Sequence, residues 1–212
     1  PDLPNVQINP REDLVALQYT GGTTGTPKGA MLTHHNLVSN AEACAYWLHG
    51  KDIKEAEDIF LTVIPLFHIY GMTTAMNAPI YLAGTMVMLP RPDPLDILRA
   101  IQENKVTIYC GVPTLYSILI NHPDIQHYNL KTVKFCISGS APLPPEIQKK
   151  FMELTGGVLV EGYGLTESSP VTHCNPLDKT LKTVKIGSIG IPWPDTDAKI
   201  IDTETGQKEQ PQ

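Results

Sequence analysis

The run Thr20-Gly21-Gly22-Thr23-Thr24-Gly25-Thr26-Pro27-Lys28-Gly29 holds the densest potential chemistry in this sequence. Its glycines let backbone approach a ligand closely, its threonine hydroxyls can bond phosphate oxygens, and Lys28 supplies positive charge. It is not a Walker A loop, because Gly29 follows Lys28 where Ser or Thr is needed, and no glycine immediately precedes the lysine. A flexible surface loop is the plain alternative. Placement directly after the apolar Leu14-Val15-Ala16-Leu17-Gln18-Tyr19 favours a phosphate loop.

Three further stretches carry reactive or ligating groups. Glu161-Gly162-Tyr163-Gly164-Leu165-Thr166-Glu167 follows the strand-like Val158-Leu159-Val160, and ligands of parallel α/β sheets bind at strand carboxyl ends. There Glu167 suits a hard oxygen ligand for Mg2+, Thr166 a phosphate contact and Tyr163 a flat platform for a base. Alone, the stretch also suits a structural turn capped by Thr-x-x-Ser. Pro65-Leu66-Phe67-His68-Ile69-Tyr70-Gly71 holds one histidine in apolar surroundings, where a satisfied core role is the ordinary reading. Ser138-Gly139-Ser140-Ala141-Pro142 is a small-residue turn that admits a planar ligand, and it lacks the Gly-x-Ser-x-Gly form of a nucleophile elbow. The remaining histidines show no metal-ligand spacing with cysteines or carboxylates.

Alternating strand and helix signals place these stretches. Leu37, Ala41, Cys44 and Leu48 form one helical face after Thr33, a predicted N-cap. Strands are predicted at 14–19, 59–64, 85–89, 106–112, 133–137 and 158–160, and helices at about 69–82, from Asp93-Pro94, at 114–121 and from Pro144-Pro145 to Gly156-Gly157. The fold expected is α/β: a mostly parallel sheet with flanking helices. Beyond about residue 170 shorter, more polar strands suggest a separate small sheet. The expected division is therefore an α/β core at 1–170 and the start of a smaller β-rich subdomain at 171–212.

Composition narrows the class. In 212 residues, 42% are hydrophobic and 18% charged, enough apolar surface for a real core and too much for a disordered chain. Sixteen glycines and nineteen prolines without a repeat imply many tight turns. A net charge of −6 with no long basic run argues against nucleic acid and anionic membranes as partners. Cys44, Cys110, Cys136 and Cys174 form no Cys-x-x-Cys pair, so reduced, partly buried thiols in a cytoplasmic protein are expected. No apolar run approaches the roughly 18 residues of a spanning helix, so no transmembrane segment is expected. The chain opens on Pro1 without a methionine and stops soon after the strand-like Ala198-Lys199-Ile200-Ile201-Asp202, which reads as a piece of something longer.

The order and spacing of Thr20 to Gly29, Pro65 to Gly71, Gly139 to Pro142 and Tyr163 to Glu167 resemble the adenylate-forming superfamily of acyl-CoA synthetases, luciferases and peptide-synthetase adenylation domains. Leu17 to Gly25, with Gly21 where many members have Ser, and Gly111-Val112-Pro113-Thr114-Leu115-Tyr116 look most like long-chain fatty acid–CoA ligases. The resemblance implies roles residue by residue. Thr20, Gly21, Gly22, Thr23, Thr24, Gly25, Thr26 and Lys28 would hold the β- and γ-phosphates. His68 would sit beside the acyl carboxylate and adenylate, and Gly139, Ser140, Ala141 and Pro142 would line the adenine and acyl pocket. Glu161, Gly162, Tyr163, Gly164 and Leu165 would contact the nucleotide, with Tyr163 stacking on adenine, Thr166 on the α-phosphate and Glu167 on Mg2+. Lys28, His68, Thr166 and Glu167 form the implied catalytic set, and His68, Gly71, Met72, Gly111 and Val112 the implied acyl pocket. Gly187-Ser188-Ile189-Gly190-Ile191-Pro192 matches an element that precedes a β-barrel subdomain in the family.

The implied reaction is ATP-dependent activation of a long-chain fatty acid to acyl-AMP, then transfer to coenzyme A, with fatty acid, ATP and CoA as small-molecule partners. The family's ribose-binding Asp, hinge residue and C-terminal-domain Lys have no counterpart here, so the chain is expected to be part of the large N-terminal domain and inactive alone. Exposed apolar surface on such a piece predicts self-association into homo-oligomers or aggregates. Two other readings stay open: a ligase for an aryl or short-chain acid, and a nucleotide-binding fragment without catalysis.

Overall fold

The computed structural model describes residues 6–20, 27–48 and 53–207. Among these, strands β1 (Leu14–Thr20) and β2 (Lys28–Thr33) pair antiparallel as a two-stranded sheet. The sequence reading missed β2. It ran a Gly/Thr-rich loop over 20–29 and assigned no element to 30–32, because the Gly/Thr run masks the strand that begins at Lys28. Helix α1 (His34–Leu48) follows at once. Thr33 and Asn36 cap it reciprocally: the Asn36 N–H donates to the Thr33 hydroxyl (3.3 Å) and the Thr33 N–H to Asn36 Oδ1 (2.9 Å). The predicted face of Leu37, Ala41, Cys44 and Leu48 is buried.

The second sheet has the order β4-β3-β5-β6-β7-β8-β9. β3 (Ile59–Thr62), β4 (Thr85–Met88), β5 (Ile108–Gly111), β6 (Phe135–Ser138) and the first half of β7 (Val158–Gly164) run parallel. The second half of β7 pairs antiparallel with β8 (Val171–Cys174), which in turn pairs with β9 (Ile191–Pro192). The stretch 198–202, read as a strand, holds only a single bridge at Ile201.

Side chains alternate along each central strand, and this alternation builds two cores. Leu61, Tyr109 and Cys136 face α4 (Pro94–Glu103), α5 (Pro113–Ile120) and α6 (Pro145–Thr155). Phe60, Ile108, Cys110, Phe135 and Ile137 face α1 and a helical segment made of α2 (Ile69–Met72), a π turn (Thr73–Asn77) and α3 (Ala78–Tyr81). Helix boundaries follow the predicted signals. Asp93 caps α4 by accepting from the Leu95 and Asp96 N–H groups, and Gly156 ends α6 at φ 75°. The helix predicted over 69–82 contains the π turn, a local widening that periodicity does not reveal.

Candidate functional site

Three of the chemistry-bearing stretches, together with Thr20 of the fourth, converge because each leaves a strand at its carboxyl end or at the hairpin beside it. A cleft of about 510 Å³ opens there, lined by Thr20, the Phe67–Tyr70 turn, Gly139, Ser140 and the run from Gly162 to Glu167. Of the expected site residues, Thr20, His68, Gly139, Ser140, Gly162, Tyr163, Gly164, Leu165, Thr166 and Glu167 line this cleft. Gly21 to Thr26 lie outside the described residues. Lys28 pairs with Thr20 across the hairpin and is exposed, and it does not line the cleft.

Ala141 and Pro142 are exposed beyond the lining, and Glu161 uses its carbonyl to accept the Asn175 N–H (3.2 Å). The expected acyl-pocket residues Gly71, Met72, Gly111 and Val112 also lie outside it. Gly71 lets α2 press on the Pro65 carbonyl, and Gly111 leaves room for the Tyr109 and Tyr116 rings, so both serve packing. Met72 packs against the small core of Leu32, Leu37 and Ile69.

His68 is exposed on the cleft rather than satisfied in the core. Its Nδ1 accepts from the Tyr70 N–H (3.2 Å) and so caps α2. A neutral ring that accepts at Nδ1 carries its proton on Nε2, leaving that N–H as a donor. Gln18 on β1 donates to the Phe67 carbonyl (2.7 Å) and ties the hairpin to this turn.

Tyr70 was not singled out from sequence, yet it shapes the floor. Its hydroxyl donates to the Ile137 carbonyl (2.9 Å) and reaches the Gly111 carbonyl (3.2 Å). Its ring lies close enough to Gly139 that a Cβ there would sit 3.1 Å away, so a larger residue would push the ring by a few tenths of an ångström. Tyr116 approaches the same Ile137 carbonyl from the other helix layer (3.0 Å). Ser140 next door takes the left-handed backbone at φ 68°, a conformation that costs about 1 kcal/mol or more and gathers at functional sites.

Glu167 is the one carboxylate among the described residues of the lining, and no lysine or arginine of those residues lines it. It has no hydrogen bond or ion pair to the described residues. Those residues also hold no group of three or more His, Cys, Asp or Glu able to cage a metal. A single free carboxylate beside the Thr166 hydroxyl fits a hard divalent cation that takes its other oxygens from phosphates and water.

Beside the cleft lies a small apolar pocket of about 20 Å³, bounded by Cys44, Trp47, Phe60, Thr74, Cys110 and Phe135 among others. Ile137 and Trp193 line both spaces. Trp193 gave no signal in the sequence, since β9 reaches the site only after a long excursion from β8.

A ligand cleft at the carboxyl edge of a parallel sheet, walled by glycine-rich turns, defines the class: an α/β small-molecule-binding domain. The chain belongs to the AMP-binding enzyme family, which matches it over residues 2–212. It is 51% identical over 205 residues to a long-chain-fatty-acid–CoA ligase of Bacillus subtilis, covering 97% of this chain and 36% of that protein. It is 33% identical to 4-coumarate–CoA ligase 1 of Narcissus pseudonarcissus, covering 97% of this chain and 38% of that protein. Among solved structures, apo MatB from Rhodopseudomonas palustris superposes with a TM-score of 0.84 at 31% identity, covering 99% of this chain and 39% of that one. The chain thus spans little more than a third of the length of these curated relatives.

Proposed function

We propose that this chain is the nucleotide- and acyl-binding core of an ATP-dependent long-chain fatty acid–CoA ligase. The observation that carries this reading is the cleft at the carboxyl edge of the sheet where His68, Tyr163, Thr166 and Glu167 meet, with a small apolar pocket on the far side of Ile137 and Trp193. The phosphates and base of a nucleotide suit that cleft, and an acyl chain would have to enlarge the apolar pocket to enter it.

In the first step a fatty carboxylate attacks the α-phosphate of ATP, forming acyl-AMP and releasing pyrophosphate. In the second, the CoA thiol attacks the acyl carbonyl and AMP leaves. The first step brings an anion to a polyanion, so positive charge and donors must come from the protein. The loop from Thr20 to Lys28 would supply backbone donors for the leaving phosphates, and Lys28, which stands outside the cleft opposite Thr20, would have to turn toward them to add its charge. His68 would orient the attacking carboxylate through its Nε2–H, and Thr166 would offer its hydroxyl to the α-phosphate. Tyr163, half open to the cleft, provides the face on which adenine stacks. Glu167 would hold Mg2+, which when bound offsets phosphate charge. The segment from 171 onward begins the β-rich subdomain in this reading.

A second reading, a ligase for a shorter or aryl acid, is favoured by the small volume of the apolar cavity. A long tail needs the side chains of α1 and the π turn to part. The deciding experiment is calorimetric titration with non-hydrolysable acyl-adenylate mimics of dodecanoyl and acetyl chains. Tighter binding of the dodecanoyl compound supports the long-chain reading, equal binding transfers support to the shorter acid, and no binding by the full-length enzyme overturns both.

A further inference from the structure

The turn that carries Thr166 and Glu167 is a single short 3-10 turn (Thr166–Ser168) between β7 and β8. Such a turn does not hold its shape unaided. Internally, Ser168 Oγ accepts from the Leu165 N–H (3.0 Å) and bonds the Pro170 carbonyl. Two side chains from the neighbouring helical layer then grip the backbone from outside. Thr73, fully buried in the π turn, donates to the Ser169 carbonyl (3.0 Å). Asn40 on α1 does more. Its Nδ2 donates to the Val171 carbonyl (2.9 Å) and lies 3.4 Å from the Ser168 carbonyl, while its Oδ1 accepts from the Val171 N–H (3.3 Å).

A carboxamide is the short side chain that presents donors and an acceptor in one plane. Aspartate would set a carboxylate against two carbonyl oxygens, and alanine would make none of these bonds. The position of Asn40 in the chain gives the clamp its reach. β2 begins with Lys28 and runs into α1 without a break, so α1 is rigidly continuous with the arm of the phosphate loop.

We propose that Asn40 is a positioning residue for the nucleotide site. It fastens the Thr166–Glu167 turn to α1, and through α1 to β2, so that the turn keeps its place against the β1–β2 hairpin at the edge of the cleft. The proposal rests on the adenylate-forming reading above.

The test uses the full-length enzyme as wild type, Asn40→Ala, Asn40→Asp and, as a control on an exposed neighbour, Ser39→Ala. ATP–pyrophosphate exchange gives kcat and the KM values for ATP and for the acid, calorimetry gives AMP affinity, and urea unfolding gives the folded fraction. Both Asn40 variants are expected to lose about tenfold to a hundredfold in kcat per folded molecule and to bind AMP several-fold more weakly, with the acid KM held within about twofold. Ser39→Ala should match wild type. Asn40→Asp keeps the side-chain shape and the bond from the Val171 N–H, so it remains informative if Asn40→Ala unfolds. Unchanged kcat and AMP affinity per folded molecule in Asn40→Asp overturn the inference, as does a loss that disappears once folded fraction is corrected. If wild type exchanges no pyrophosphate with any acid, the adenylate-forming reading falls and this inference with it. If wild type is active and the variants equal it, only the inference falls.

Discussion

Glu167 and Asp58 are both carboxylates, and their surroundings assign them opposite jobs. Glu167 is exposed at the carboxyl edge of the sheet, with no partner among the described residues. Asp58 is buried at the amino edge, where it bonds Lys134 Nζ (2.9 Å) and the Lys54 N–H (2.6 Å) and so joins the entrances to β3 and β6. Glu167→Gln in the full-length enzyme should lower adenylate formation by about a hundredfold while leaving the urea midpoint unchanged. An unaltered rate would end the metal-holding role given to it. Asp58→Ala should do the reverse, costing about 1 to 2 kcal/mol in urea unfolding because the Lys54 N–H loses its acceptor and the sheet entrances lose one ion-pair tie. Tyr70→Phe is milder. The carbonyls it abandons keep other donors, Tyr116 for Ile137 and the Gly139 N–H for Gly111, so the loss expected is about 1 kcal/mol.

Strand β5 shows what an element does to the groups it carries. Burial between the two helix layers pushes the Cys110 thiol up to about 11 and holds Cys44, Cys136 and Cys174 well above the usual thiol range. The folded form therefore keeps these protons when the unfolded chain has released them. Stability is complete below about pH 9 and falls as pH rises toward 11, since the native state then binds more protons than the unfolded state. Urea midpoints at pH 8 and pH 10.5 check this, and native thiols should resist a disulfide reagent at pH 8 until denaturant is added. How much of this was legible depends on the element. The parallel strands and capped helices were, because period-two burial, Asp93-Pro94 and Gly156 are local signals. β2 was not, because a strand pinned by its hairpin needs little pattern of its own. Nor was the apolar cavity, since Cys44, Phe60, Cys110 and Trp193 meet only once α1, β3, β5 and β9 are assembled. In the site itself, Thr166, Glu167 and Tyr163 line the cleft as motif order suggests, whereas Gly71 and Gly111, assigned to an acyl pocket from the resemblance and hydrophobicity, lie outside it in close packing.

At the scale of the molecule, one face of the β1–β2 hairpin stands in solvent with Leu17 opposite Met31 and Tyr19 beside them. A two-stranded sheet with an apolar outer face is prone to pair. Light scattering of the chain alone should report masses above the monomer that rise with concentration, and Leu17→Lys with Met31→Lys should restore the monomer. A concentration-independent monomer mass in the unsubstituted chain would contradict this. The same isolated chain should make no measurable acyl-CoA. It has another property that needs no substitution to exploit. Its two tryptophans, Trp47 and Trp193, stack at 5.7 Å, and Trp193 borders the cleft, the apolar cavity and the outer groove beside α1. All the indole light that these 212 residues emit thus leaves from one junction of three hollows. The molecule carries its own lamp at the place where a guest would arrive, and its colour and brightness can be watched without a label.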